Sequence, residues 1–366
     1  MDNTRIAKEN LRKVREFLAE RGLGALVVSR QHNLFWLTGG GDCHVGLATQ
    51  DAAARLVVTA DEAYIITKNI ELPRLLAEEV DPNLFQVRAF DWYEGDFDPI
   101  IKELVGDLPL GSDMPGAETV FLESELGLLR SLYSEGEQER LLIAGQRLGE
   151  ALGQVCREVV PGETEFAVAG RLTSALLARE LTPTVLLVGA DERIAKFRHP
   201  IPTQKVVTKY AMVACVARYK GIQVAGSRLV HFGPLDADLL RKHQAVVTVD
   251  ATLIGQSVPG RKLNEILAAG IAAYREAGFA EEWKLHHQGG IIGYWTREMI
   301  ATPQTQLTLR ENQALAWNPS ITGTKSEDTI LVTKDGPQVV TSTPDWPMLE
   351  VHTVDGVFYR PDILVR

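Results

Sequence analysis

The sequence predicts an α/β N-terminal domain followed by an α+β C-terminal domain, and three observations carry that prediction. The chain has 366 residues, more than one hydrophobic core usually serves. Its first 130 residues alternate short apolar runs with helical periods, whereas in the second half strand-like runs cluster between long helical stretches. A polar run, SEGEQE at 134–139, separates the two patterns, so the domains are expected at 1–133 and 134–366.

Residues 4–23 set Ile6, Leu11, Val14, Phe17 and Leu18 at helical spacing, and Gly22 and Gly24 end that helix before the strand-like run ALVVS at 25–29. The run RLVVTADEAYIIT at 55–67 reads as two short strands around Ala60, Asp61 and Glu62, and IELPRLLAEEV resumes a helical period. FQVRAFDW and a helix near 98–105 continue the alternation. After SEGEQE, Leu141, Leu148, Leu152 and Val155 form the buried stripe of a helix. A turn at 160–165 follows, with Thr164 placed to cap the next helix. TVLLVGA (184–190), KYAMVACVARY (209–219) and QVAGSRLVHFG (223–233) read as strands. Helices over about 235–252 and onward to about 276, separated by SVPG, precede a last group of strands and turns.

Composition excludes several function classes. Hydrophobic residues at 45% and charged residues at 23% are globular values, not those of a disordered chain. The formal charge of −10, from 38 basic and 48 acidic residues, argues against nucleic acid and anionic membrane as partners. The N-terminal stretch MDNTRIAKENLRKVREFL, residues 1–18, reads as a charged amphipathic helix without a secretory h-region, and no run approaches the ~18 apolar residues of a membrane span, so a cytoplasmic protein is expected. Cys43, Cys156 and Cys215 lie far apart, which indicates reduced structural thiols rather than a disulfide framework or a thiolate zinc site. Gly39-Gly40-Gly41 is a turn, because no phosphate-loop pattern surrounds it.

Several segments occur in a telling order: VVPGETE at 159–165, FRHPIP at 197–202, RYKG and SRLVHFG within 218–233, HHQGGIIGY at 286–294, and NPS through KSEDTILVTKDG at 318–336. In order and spacing they resemble the creatinase, prolidase and methionine aminopeptidase family, whose catalytic domain is the pita-bread fold. Asn33-Leu34-Phe35-Trp36-Leu37-Thr38-Gly39 resembles a segment of the extra α/β domain that some members carry, so the likeness spans nearly the whole chain.

Family peptidases hold two divalent metals with two Asp, a His and two Glu. Anchored on Arg218-Tyr219-x-Gly221 and on Arg228, the resemblance places the two Asp positions at Ala214 and Ala225, eleven apart. It places the His at His287, the first Glu at Asn318 and the last at Glu327. Three anionic ligands are therefore missing, and because hard divalent ions need converging carboxylates, no metal and no cofactor are expected. Asp250 is the nearest alternative aspartate, on a helix-patterned segment with no partner eleven residues on.

Creatinase is a metal-free member, and likeness to it implies His199 as general acid/base, a task suited to an imidazole with an unperturbed pKa of about 6.5. The bland alternative is a core histidine beside Pro200. His199, His287 and Glu327 are the candidate catalytic residues. Of the two carboxylates with which creatinase grips a guanidinium, one matches Glu327 and the other falls at Ser227, which speaks against that substrate. Losing carboxylates while keeping Lys325, Arg228 and Arg297 predicts a pocket for an anion. Arg228, Lys325, Tyr294 and Asn318 are the candidate substrate-binding residues; Arg228 and Lys325 could instead pair with local acids, and Tyr294 could be structural. If His286 and His287 share a strand, only one faces the pocket; His287 is taken as that one, and His286 as a packing residue or one that supports the pocket from behind.

The expected function is a metal-independent hydrolase of the creatinase/Xaa-Pro peptidase type, cleaving a C–N bond of a small carboxylate-bearing, amino-acid-like or dipeptide-like substrate. One alternative is a catalytically inactive pita-bread pseudoenzyme that binds a peptide or protein. Another is a residual metallo-dipeptidase or aminopeptidase on X-Pro substrates through His199, His287, His231 and Glu327. The expected partners are a small-molecule or short-peptide substrate and, by analogy with two-domain relatives, a second copy of the chain in a homodimer.

Overall fold

The computed structural model describes residues 3–366; Met1 and Asp2, included in the first helix by the sequence reading, lie outside the described residues. The chain packs as two compact units, Met1–Glu137 and Gln138–Arg366.

In the first unit α1 (Asn3–Arg21) buries Ile6, Leu11, Val14 and Leu18 while Phe17 stays partly exposed. There follow β1 (Ala25–Arg30), α2 (Gln31–Leu37), β2 (Asp51–Thr59), β3 (Ala63–Lys68), α3 (Leu72–Arg74), which runs into a π-helical turn at Leu75–Glu79, and β4 (Gln86–Phe90). The unit ends with α4 (Phe97–Val105), β5 (Leu110–Ser112), β6 (Thr119–Phe121) and α5 (Glu123–Arg130). The sheet order is β4-β3-β2-β1-β5-β6. Pairing is antiparallel along β1-β2-β3 and parallel at β3-β4, β1-β5 and β5-β6. Helix α2 falls on the family-like segment and had no helical signature, because all seven of its residues are buried and none marks a polar face. Asp113 holds its entry, accepting from the Ser29 and Arg30 amides and the Asn33 side chain.

The second unit is built on α6 (Glu135–Glu158), whose Leu141, Leu148, Leu152 and Val155 are fully buried, and on α7 (Glu165–Leu177), capped by the Thr164 hydroxyl accepting from the Ala167 amide. Then come β7 (Thr182–Ala190), α8 (Glu192–Lys196), β8 (Tyr210–Tyr219), β9 (Ile222–His231), α9 (Ala237–Gly255) and α10 (Leu263–Glu276). The remaining strands are β10 (Gly289–Ile292), β11 (Met299–Ile300), β12 (Ala314–Trp317), β13 (Ser320–Ile321), β14 (Thr324–Lys325), β15 (Asp328–Thr333), β16 (Gly336–Val339), β17 (Met348–Thr353), β18 (Gly356–Pro361) and β19 (Leu364–Val365). They form sheets β19-β9-β8-β7 and β11-β10-β12-β15-β16 and the hairpins β13-β14 and β17-β18. Helices α9 and α10 bury Val246, Leu253, Ile266 and Tyr274 against Leu315, Trp317 and Ile330 of the second sheet. Among the described residues no helix is long and apolar enough to cross a membrane.

Two glycines make β10 possible. Gly289 and Gly290 have φ of 111° and 149°, and a Cβ on Gly290 would stand 2.1 Å from the Met299 carbonyl oxygen. Gly290→Ala is therefore expected to destabilise the protein by roughly 2–3 kcal/mol in urea unfolding. A loss below half of that would show the strand accommodates a side chain.

Candidate active site

A cavity of about 330 Å³ opens against the β8 face of the second unit. Its apolar wall includes Val185, Leu187, Ala214 and Val216, and its polar wall is His199, His287, Arg297, Asn318, Lys325 and Glu327. Strand alternation and the β8-β9 register put Ala214, Val216, Ala225 and Ser227 on one face of the hairpin. His199 comes from the loop after α8, and His287 from the link between the Glu282–Leu285 turn and β10. Asn318 lies between β12 and β13, Lys325 on β14, and Glu327 just before β15.

Glu327 is the only acidic side chain in this wall among the described residues, and it is held from three sides. The Ser227 hydroxyl donates to its Oε2, Lys325 Nζ lies 2.9 Å from the same oxygen, and Arg297 is 3.8 Å from Oε1. Burial pushes the Glu327 carboxyl up, but Lys325, Arg297 and Ser227 outweigh it and keep its pKa below the ordinary carboxylate range. Among the described residues, three buried polar atoms at the cavity have no hydrogen-bond partner: Arg297 Nε, Asn318 Oδ1 and His287 Nδ1.

The imidazoles are neutral near pH 7. Burial and then Lys325 lower the pKa of His199. The same causes bring His286 to about 2, and burial with Arg297 brings His287 to about 4. His286 reaches the cavity group from behind: its Nε2 is 3.1 Å from His199 Nε2 and its Nδ1 is 3.0 Å from the Ser320 hydroxyl. One proton serves the Nε2 pair, so one ring donates and the other accepts. His286 and His287 precede β10 instead of lying on a strand, and both can turn toward His199. His286 thus lies behind His199 and outside the cavity lining, the place of a packing or supporting residue, although the strand premise does not hold for its segment. Arg297, one of the cations expected near the pocket though not among the candidate binding residues, faces Glu327 in the cavity wall.

Two candidate substrate-binding residues require correction. Arg228 alternates to the opposite face from Ser227 and is 1% exposed. Its guanidinium donates to Thr343, Asp328 and the carbonyls of Ser227 and Thr341, which leaves it no path to a ligand. Tyr294 is fully buried outside the cavity wall. His231, placed in one alternative metal set, sits at the end of β9 with its Nδ1 on the Gly233 carbonyl, away from the cavity. Asp250, the alternative aspartate, pairs with Arg360 at 2.7 Å in the core.

A stability prediction follows from His286. Its folded pKa is depressed below that of the unfolded chain, so below about pH 6.5 the unfolded state binds the proton that the folded state refuses. Stability is thus full above pH 6.5 and falls as pH drops, by about 1.4 kcal/mol per pH unit from this residue between roughly pH 6 and 4. Urea unfolding across that range should show the slope, and His286→Gln should reduce it by about that amount, leaving the part that His287, with its pKa of about 4, contributes; an unchanged slope would contradict a buried neutral ring.

The family described as "Creatinase/Prolidase N-terminal domain" matches residues 10–121, and "Metallopeptidase family M24" matches residues 139–334. The chain is 25% identical over 356 residues to "Probable dipeptidase PepE" of Mycobacterium tuberculosis, covering 89% of this chain and 92% of that one. Among solved structures, dipeptidase PepE from Mycobacterium ulcerans superposes with a TM-score of 0.79 at 20% identity, covering 100% of this chain and 99% of that chain. The prolidase from Pyrococcus horikoshii superposes at 0.78 with 18% identity, covering 92% and 98%. These neighbours share the N-terminal α/β domain and the pita-bread C-terminal domain. With more than half of its length under one family pattern and most of the remainder under that family's companion domain, the chain belongs to metallopeptidase family M24, of the creatinase and prolidase type.

Proposed function

We propose that this hydrolase-family chain cleaves a C–N bond in a small carboxylate-bearing, amino-acid-like or dipeptide-like molecule, using His199 and no pair of divalent ions. The observation that carries this reading is the charge of the cavity wall: Lys325 and Arg297 both face the single carboxylate of Glu327, beside imidazoles that are neutral. The wall has one more positive than negative charge, which favours an anionic ligand in a partly desolvated pocket. The residues do not fit the dinuclear centre that the family description implies, because hard divalent ions require several converging carboxylates, and the one present has an ammonium group at 2.9 Å.

His199, neutral through burial and Lys325, takes a proton from the attacking water and returns it to the leaving nitrogen as the water oxygen bonds to carbon and the C–N bond breaks. His286, anchored on Ser320, holds the orientation of the His199 ring. Arg297 and Lys325 receive the substrate carboxylate, and the unpartnered Asn318 Oδ1 accepts from a substrate N–H. Glu327 keeps the two cations in place. A second reading, binding without turnover, is favoured by the saturation of Glu327, which leaves no free carboxylate to act as a base.

The test is a panel of N-substituted amino acids and X-Pro dipeptides, each with its carboxamide counterpart. Turnover confined to free carboxylates supports the proposal; equal turnover of the amides contradicts it, and binding of the acids without products favours the second reading.

A further inference from the structure

His199, His286 and His287 each bring a ring nitrogen within 4.8 Å of the other two. The His199 and His286 Nε2 atoms are 3.1 Å apart, and the His287 ring centroid lies 4.9 Å from that of His286 and 6.1 Å from that of His199. A hydrogen bond accounts for the first pair but not for the third ring, whose Nδ1 has no partner. A tetrahedral zinc ion with Zn–N bonds of about 2.0–2.1 Å sets its nitrogens roughly 3.3 Å apart. The first pair already has that spacing, and a small swing of the partly exposed His287 ring completes it.

We propose that His199, His286 and His287 form a mononuclear site for a borderline transition-metal ion such as Zn(II), Cu(II) or Ni(II), and that the bound ion withdraws His199 from catalysis by occupying its lone pair. The binding half stands on the cluster alone; the inhibitory half rests on the reading of His199 as proton carrier. Three imidazoles without a free carboxylate select this class of ion over Mg(II) or Ca(II). The outer nitrogen of His286 is fixed by Ser320, to which Arg198 also donates at 3.2 Å, the kind of outer support that orients metal-binding imidazoles. His199 is exposed, so the ion has an entry path and keeps a fourth position for water. The neighbouring Lys325 charge opposes the ion, so the expected Kd is roughly micromolar rather than that of a structural zinc site.

The full chain, stripped with EDTA and dialysed, is titrated with ZnCl2 by calorimetry and with CoCl2 by visible absorption. One ion per chain, a cobalt spectrum of four-coordinate type, and at least a tenfold weaker Kd in both His199→Ala and His287→Ala are expected; both rings are partly exposed, so folding is not at issue. Absence of stoichiometric binding, or wild-type affinity in both variants, overturns the site. Saturating ZnCl2 should also protect His199 from acylation by diethyl pyrocarbonate, read by mass spectrometry. Full modification in the zinc-bound chain overturns the inhibitory half. Neither readout requires turnover, so failure here is separate from failure of the hydrolase reading.

Discussion

His199→Ala should lower turnover by ~10²–10⁴-fold while leaving the thermal shift produced by a bound carboxylate substrate nearly intact, because a general acid/base acts in the transition state and contributes little to ground-state binding. Glu327→Gln should behave differently in kind. It removes the charge that holds Lys325 at 2.9 Å and Arg297 at 3.8 Å, so the two cations lose their placement and the ligand-induced shift should shrink along with the rate. If His199→Ala loses the shift and Glu327→Gln keeps it, the division of roles given above is wrong.

Arg360→Met should cost about 3–5 kcal/mol of stability, the usual penalty for removing one partner of a buried charge cluster. Arg360, 1% exposed, donates to Asp250 at 2.8 Å and to Asp328 at 2.6 Å, and Asp328 also accepts from Arg228 at 3.0 Å. Removing Arg360 leaves Asp250, whose pKa burial already raises against the pull of Arg360, without its cation. Asp328 directly follows Glu327, so the same substitution should also weaken carboxylate binding. Urea unfolding checks the first effect and ligand-induced thermal shift the second. A cost below 1 kcal/mol would mean that water or neighbouring groups compensate the freed aspartates.

Much of this was legible in the sequence. The helices α1, α6 and α7 and the strands β7, β8 and β9 follow from apolar spacing and turn residues, and the order of the C-terminal segments pointed to the fold that the structural neighbours share. His199, His287, Asn318, Lys325 and Glu327 come together at one cavity although 128 residues separate the first from the last. What was not legible depended on side-chain direction. Arg228 and Ser227 are adjacent, and only the strand register shows that Ser227 faces Glu327 while Arg228 turns toward Asp328. The direction of the His286 ring was not legible either, because its segment is a link before β10, where the alternation rule has no force. Helix α2 was missed because complete burial erases amphipathic contrast.

The central claim is hydrolysis without a dinuclear metal centre. Its most direct measurement is the initial rate on the best substrate of the carboxylate panel, taken before and after exhaustive EDTA treatment and again after adding MnCl2 or CoCl2. The account predicts that the chelated enzyme retains its full rate and gains nothing from either ion. A rate that vanishes with EDTA and returns with manganese or cobalt would contradict it.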